Sequence, residues 1–194
     1  MPDAAAPKLD RSAVVAAAGR VADSDGLEAV SLSRLARELG VRPPSLYNHV
    51  PSHTELLRLV ATASVEDLAA AIRDAAVGRS RGDALSAIAA AFRDYARRHP
   101  GRYSATVRAP AADEPEKEAA AAGAVDPILA VLAGWGLEGD EAVHQVRVIR
   151  SALHGFALLE TGGGFGLPLD LDTTFALLVQ TLEAGVRSAA GERV

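Results

Sequence analysis

The side chains best suited to recognise another molecule are clustered in one short stretch of the chain. A tyrosine hydroxyl and an imidazole can donate hydrogen bonds to phosphate oxygens. Arginine and asparagine match the hydrogen-bonding edges of guanine and adenine in the major groove of DNA. The stretch contains Arg42, Pro44, Ser45, Tyr47, Asn48 and His49. These residue types are typical of a surface that contacts DNA, with Arg42, Pro44, Ser45 and Asn48 expected at the base edges.

The local sequence predicts that these side chains project from a short helix. Pro43 and Pro44 are tolerated only in the first turn of a helix, and Pro51 ends it. A helix of about two turns is therefore expected over residues 42–50. A helix this short cannot bury Tyr47, Asn48 and His49 together, so packing alone does not explain them.

A second short helix is predicted immediately before it. Ser31 is a good N-cap, Leu32, Leu35 and Leu39 follow at helical spacing, and Gly40 is a stop signal. The two helices and their Gly40–Val41 turn form a helix-turn-helix, in which the first helix braces the DNA backbone and the second enters the major groove. Ser31 can serve as a helix cap and as a phosphate contact.

Composition places the chain among globular proteins. It has 194 residues, 49% of them hydrophobic, a net charge of -5 and no cysteine. The lack of cysteine excludes disulfides, thiolate catalysis, zinc ribbons and iron–sulfur clusters. The acidic excess lies after residue 60, because residues 1–60 hold 7 basic and 7 acidic side chains. We expect a cytoplasmic protein with no signal peptide and no membrane partner.

The whole chain is expected to be all-α, with about nine helices. Ala, Leu, Arg and Glu dominate, and apolar residues recur at helical spacing between breaks at Gly and Pro. We predict a helix-turn-helix domain over residues 1–52. A helical effector-binding and dimerisation domain is expected over residues 53–194, opened by a capping box from Ser52 to Glu55. The sequence further predicts a helix end at His99–Gly101, a kink or interruption at Pro127 and helix caps at Asp83, Asp140 and Asp172.

Four segments near the N-terminus form one extended pattern: Val30–Ala36, Leu39–Val41, Pro44–Val50 and Glu55–Leu56. On these segments, residues 10–60 resemble the DNA-binding domain of TetR/AcrR-type transcriptional regulators. The resemblance implies that Arg34, Tyr47 and His49 contact phosphates. Two residues depart from the family pattern: Val50 replaces the usual Phe, and His53 replaces the usual Lys beside the DNA backbone. His53 is still expected to contact DNA, without a permanent charge.

The C-terminal part contains a second set of motif residues, Ser151–Phe156, Glu160, Gly162–Pro168 and Asp170. On these residues it resembles the TetR subgroup with a WHG-type regulatory domain, although the Trp of the motif is absent. The resemblance implies a homodimer formed by the last two helices and a cavity for a small effector. The candidates for the lining of that cavity are large or polar side chains of the later helices. They are Phe92, Tyr95, Trp135, Arg150, His154 and Phe156.

Three functional hypotheses follow. The first is a ligand-released repressor, not an enzyme, that binds a near-palindromic operator as a dimer. The second is an all-α binding protein or enzyme without DNA binding, which uses His154 and Glu160 as acid and base. The third is a helical adaptor that has lost DNA binding. No cofactor or metal is predicted, since His144 and His154 would lie roughly 15 Å apart along one helix.

Overall fold

The computed structural model describes residues 9–107 and 109–192. Within these residues the fold is all-α, as predicted, and no strand is present. None of the described helices combines the length and apolar character needed to cross a membrane. The helices are α1 (Arg11–Asp25), α2 (Leu32–Glu38), α3 (Pro43–Tyr47), α4 (His53–Ala76), α5 (Arg81–Arg98), α6 (Pro100–Ala105), α7 (Pro115–Ala133), α8 (Gly139–Thr161) and α9 (Leu171–Ala189), with a 3-10 turn at Leu27–Ala29.

The chain forms two compact units. The N-terminal unit comprises the described residues up to Ser64 together with those of 100–109, and the C-terminal unit comprises the remainder. The division between units falls inside α4, whereas a domain boundary between residues 52 and 53 stays a prediction. The N-terminal unit has its own apolar core, in which Val14, Leu35, Leu46, Val50 and Leu56 are fully buried.

Helix α6 belongs to the N-terminal unit because it is fastened to the end of α1. The backbone N–H of Arg102 donates to Asp23 Oδ1 at 2.9 Å, and its Nε donates to Oδ2 at 2.7 Å. Gly101 permits this approach, since a Cβ there would lie 1.9 Å from the carbonyl oxygen of Ala22. Only glycine fits at a backbone contact this close.

The C-terminal unit is a bundle of α5, α7, α8 and α9 with the later part of α4. Each helix buries one apolar face, as expected for amphipathic helices around a shared core. Leu85, Ile88 and Ile149 are fully buried, and Leu132 and Val186 are 1% exposed.

The predicted span of the exposed recognition helix was too long. Helix α3 is Pro43–Tyr47, five residues, not 42–50. The N–H groups of His49 and Val50 both bond back to the carbonyl of Leu46 at 2.9 Å, which closes the last turn. Pro51 prevents the helix from continuing past this turn, because the residue before a proline is disfavoured in the helical region.

The helix end predicted at His99–Gly101 is confirmed, because α5 ends at Arg98. Pro100 also begins α6, since its fixed φ and missing N–H suit the first helical position. Pro127 does not interrupt α7, which is continuous from Pro115 to Ala133. The missing N–H removes one helical bond, while the burial of Val131 and Leu132 holds the next turn in the core.

Three predicted helix caps lie a few residues from the observed ones. Helix α9 is capped by Asp170, whose carboxylate accepts from the N–H groups of Asp172 and Thr173. Asp172 therefore lies in the first turn instead of capping it. Helices α5 and α8 likewise begin before Asp83 and Asp140, the residues expected to cap them.

Candidate nucleic-acid interface

Within the N-terminal unit, the turn between α2 and α3 sets the angle between these two helices. At the start of α2, Ser31 Oγ accepts from the backbone N–H of Arg34 at 3.3 Å, which confirms the predicted cap. Gly40 has φ +66°, a left-handed conformation that favours glycine. The Val41 N–H then bonds back to the Ala36 carbonyl at 2.9 Å and closes the turn.

One side of this helix pair is anchored in the core. Leu35, Leu46 and Val50 each have no exposed surface. Leu39 and Val41 are partly buried against the same cluster. Val50 is fully buried in the position where a Phe was the expected family residue. The anchoring fixes which face of α3 points away from the core.

The opposite face of α3 carries the predicted contact residues. Tyr47 is 54% exposed, an unusual position for a large aromatic side chain. Arg42, Pro44 and Asn48 are exposed, and Ser45 and His49 are half-buried. The structure therefore brings all six residues together on and beside one short helix.

The end of α3 is also tied to α1 by a contact that the sequence did not suggest. Arg11 Nε donates to the backbone carbonyl of His49 at 3.2 Å. The two residues are 38 positions apart, so no local pattern signals their pairing. The bond fixes the backbone that carries His49 and leaves its imidazole available.

His53 makes a hydrogen bond of its own at the start of α4. Its Nε2 lies 2.9 Å from the backbone carbonyl of Val30, to which a protonated Nε2 donates. The contact links the first turn of α4 to the segment that precedes α2. A phosphate contact by His53 remains a prediction, and it would fall to the other ring nitrogen.

Arg34 is engaged in ion pairs on the surface of the N-terminal unit. Its guanidinium donates to Asp25 Oδ2 at 2.5 Å and lies 3.7 Å from Glu38 Oε1. A hydrogen bond from Ser24 and the pairing with Arg34 lower the pKa of the Asp25 carboxyl, which is therefore ionised at neutral pH. A phosphate contact by Arg34 would have to compete with these carboxylates.

The six residues predicted to line an effector cavity do not share one environment. The aromatic side chains of Phe92, Tyr95, Trp135 and Phe156 are each between 5% and 7% exposed and belong to the apolar core. Arg150 is exposed and His154 is half-buried, both on α8. None of the six lines the cavity found at the end of α4. Their role in ligand binding stays a prediction.

His154 has a shifted protonation equilibrium. Burial lowers its pKa below the ordinary value of 6.5, and the nearby positive charge of Arg150 lowers it further. The folded protein therefore holds this imidazole neutral at pH values where an unfolded chain would already protonate it.

We expect acid to destabilise the protein partly through His154. Stability from a lowered pKa is present above the unfolded value of 6.5 and is lost as pH falls from there through the folded value. Between about pH 7.5 and about pH 5.5, the Tm of the native chain should fall further than that of a His154→Gln variant. Parallel Tm curves for the two proteins over this interval would contradict the assignment.

Glu160 lies in a cluster of ion pairs, in which its side chain and that of Arg93 are each 10% exposed. Arg93 donates to both of its oxygens, at 2.8 and 2.5 Å, and also lies 2.7 Å from Asp172. The guanidinium is 4.7 Å from the ring centre of Phe175 and 5.3 Å from that of Phe156. The hydrogen bond to Glu160 raises the pKa of Arg93, so the guanidinium remains charged. This Arg93 cluster joins α5, α8 and α9.

The geometry gives no support to an acid–base pair of His154 and Glu160. Both oxygens of Glu160 are held by Arg93, and six positions on one helix place the two side chains on different sides. In the described part of the chain, no three His, Asp or Glu side chains come together as a metal site would require. The predicted absence of metals and cofactors stays an expectation.

Two family models match the chain. The model described as "Bacterial regulatory proteins, tetR family" matches residues 14–60, which contain the helix-turn-helix. The model described as "Tetracyclin repressor-like, C-terminal domain" matches residues 85–182. Together they cover both compact units.

Individual relatives agree with these matches. An uncharacterized HTH-type transcriptional regulator of Mycobacterium tuberculosis is 41% identical over 180 residues, which span 92% of this chain and 82% of the relative. Among solved structures, a TetR variant from Acinetobacter baumannii in complex with minocycline has a TM-score of 0.71 at 22% identity, covering 93% of this chain and 98% of that chain. ActR from Streptomyces coelicolor in complex with (S)-DNPA has a TM-score of 0.67 at 22% identity, covering 94% and 98%.

Proposed function

The chain belongs to the TetR family of DNA-binding transcriptional regulators, and on that premise we propose that it is a repressor. In this proposal its homodimer binds a near-palindromic operator in the cytoplasm and is released by a small-molecule effector. The observation that carries the proposal is the exposed face of α3, where Tyr47 and Asn48 project from a helix anchored by Leu46. A regulator of this kind needs no catalytic residue.

The proposed contacts with DNA fall into two chemical groups. Phosphate oxygens are bound by Ser31, Arg34, Tyr47, His49 and His53, which position the protein along the backbone. Base edges are read by Arg42, Pro44, Ser45 and Asn48 in the major groove. Both groups lie in the N-terminal unit, which supports a single DNA-binding surface.

Sequence selection from a randomised DNA library tests the division. The native protein should enrich two inverted half-sites, because a two-fold symmetric dimer presents α3 twice. Asn48→Ala should change the preferred base at one position per half-site, whereas Tyr47→Phe should keep the motif and lower affinity. Recovery of no motif would refute the proposal, and an unchanged motif with Asn48→Ala would remove its base-reading role.

The ion pair of Arg34 leads to a prediction about affinity. Asp25→Asn removes the carboxylate that holds Arg34 at 2.5 Å and leaves only the longer contact with Glu38 at 3.7 Å, so the guanidinium binds a phosphate with less competition. DNA affinity should rise about two- to fivefold, and the salt dependence should steepen by up to about one released ion per subunit. Both changes can be measured by fluorescence anisotropy across a salt series.

Glu28→Gln is the matched control for this variant. Glu28 is exposed in the 3-10 turn of the same unit, so its replacement removes one negative charge without releasing an arginine. An equal gain in DNA affinity with Asp25→Asn and Glu28→Gln would show that net charge alone is responsible.

The proposed dimer is formed by α8 and α9. Four large apolar side chains on these helices are about half exposed: Val148, Leu158, Leu159 and Leu177. Exposed apolar side chains on neighbouring helices are typical of an interaction surface. A second copy of the chain with the same helices would bury them in a four-helix bundle.

Leu177→Glu is expected to weaken this dimer. A carboxylate in a buried apolar contact loses its hydration without gaining a partner, so the dissociation constant should rise at least about tenfold. Sedimentation analysis over a range of concentrations measures it. Leu167→Glu is the control, because Leu167 is 76% exposed in the loop between α8 and α9. Equal behaviour of the two variants would place the interface elsewhere.

A further inference from the structure

A cavity of about 560 Å³ lies in the C-terminal unit at the end of α4. Its walls are the last turn of α4, the segment that leads into α5, and the middle of α7. This volume is within the usual range for small-molecule sites, about 300–1,000 Å³. Apolar lining is supplied by Ala76, Val77, Pro127, Ala130 and Val131.

The charged residues around the cavity are mostly basic. Arg73, Arg79 and Arg81 line it, and Asp126 is the one carboxylate among its lining residues. Two of the arginines already have partners within the chain. Arg79 donates to the Ala75 carbonyl at 2.8 Å, and Arg81 donates to the Gly134 carbonyl at 2.8 Å.

Arg73 differs from its two neighbours. In the part of the chain that the structure describes, its guanidinium forms no hydrogen bond and no ion pair. Gly123 of α7 faces it, and a Cβ at Gly123 would lie 3.8 Å from an Arg73 guanidinium nitrogen. Gly123 therefore lies at ordinary contact distance from this exposed and uncommitted cation.

Two further features lie in the cavity wall that the start of α5 forms. Arg81 has φ +48°, the one left-handed non-glycine residue among those described. Strained backbone of this kind persists where surrounding contacts hold it, often at ligand sites, and the bonds of Arg81 to Gly134 and Glu192 hold it here. Ser80 occupies the N-cap position of α5 without a side-chain cap bond, so its hydroxyl is available beside the cavity.

We propose that this cavity binds a small organic carboxylate with an apolar body. The carboxylate is bound by the guanidinium of Arg73, whose planar donors match two carboxylate oxygens. The apolar body lies against Val77, Ala130 and Val131. If the proposed function holds, this bound carboxylate is the effector that releases the repressor from DNA.

Calorimetric titration of the full chain with octanoate tests the site. Octanoate should bind, octanol should bind at least about tenfold more weakly, and Arg73→Gln should remove that preference, because a charged hydrogen bond accounts for it. Asp126→Asn should tighten octanoate binding, since it removes the one opposing carboxylate. Arg98→Gln is the control, because its partner is Asp94 on the exposed side of α5.

The site is overturned if octanoate does not bind, if octanol binds equally well, or if Arg73→Gln behaves like Arg98→Gln. Octyl phosphate is titrated in parallel, and a clear preference for it over octanoate would overturn the carboxylate assignment. Ala130→Trp, at an exposed residue of the lining, should fill the cavity and abolish binding.

The effector role of the bound carboxylate is tested separately, by the affinity of the protein for operator DNA. Octanoate should lower the affinity of the native protein for operator DNA, while Ala130→Trp should bind the operator normally and ignore octanoate. Octanoate binding that leaves DNA affinity unchanged would overturn the effector role alone. Failure of the native protein to bind DNA without any ligand would instead refute the proposed function.

Discussion

Replacing Tyr47 with alanine is expected to weaken operator binding by about 10–100-fold while leaving the Tm unchanged. Tyr47 is 54% exposed on α3, so its removal leaves no cavity in the core. In the proposed complex with DNA its hydroxyl donates to a phosphate, and a hydrogen bond to a charged group contributes about 1.5–3 kcal/mol. That range corresponds to the expected loss of affinity. Fluorescence anisotropy with labelled operator DNA measures it.

Three comparisons make this result specific. Tyr47→Phe removes only the hydroxyl and should lose most of the same affinity, and His49→Ala should act in the same direction. Random-sequence DNA should be affected as strongly as the operator, because phosphate contacts carry no sequence information. A Tm lowered by several degrees in Tyr47→Ala would instead mean that the side chain packs in the core, which would contradict its assignment as a DNA contact.

Replacing Arg93 with methionine is expected to cause the largest loss of stability. The variant removes the two-oxygen contact of Arg93 with Glu160, whose side chain is 10% exposed, and leaves only Arg97 at 4.0 Å from Oε1. A buried charge that loses its main partner is strongly unfavourable. We expect the free energy of unfolding to fall by about 3 kcal/mol. For a chain of this length, the Tm should fall by about 6–12 °C. Thermal unfolding at one fixed protein concentration provides the test.

Arg98→Met is the matched control, because its ion pair with Asp94 is exposed and such pairs contribute little. A second variant that changes both Arg93 and Glu160 to methionine should regain part of the lost stability, since no uncompensated charge remains. Equal Tm values for Arg93→Met and Arg98→Met would contradict the structural role of the Arg93 cluster.

The helix-turn-helix could be predicted closely from sequence because its determinants are local. Ser31 and Ser52 cap the helices they were expected to cap. Gly40 adopts the left-handed conformation that a turn after α2 requires. Signals of this kind act over three or four residues, so a single sequence displays them fully.

Prolines were less informative, because packing can outweigh their local effect. The break expected at Pro100 is present, between the end of α5 and the start of α6. Pro127 removes one backbone bond, but tertiary packing outweighs that loss and α7 continues. Local preference predicts a break at both prolines, and the surrounding core decides the outcome.

The ion pairs that organise each unit could not be predicted at all. Arg93 and Glu160 are 67 positions apart, and Asp23 and Arg102 are 79 apart. Glu160 was considered as a catalytic acid or base because nothing in its neighbourhood revealed its partner. The cavity beside Arg73 was missed for the same reason, since its walls come from helices that are distant in sequence.

The central claim is that α3 binds a specific DNA sequence, and one measurement tests it most directly. Labelled duplex DNA from beside the protein's own gene is titrated with the purified chain in excess random competitor, at about 50 and about 200 mM salt. The account predicts binding that survives the competitor and weakens on the order of a hundredfold or more at the higher salt, through counterion release. Binding that the competitor abolishes, or that salt leaves unchanged, would contradict it.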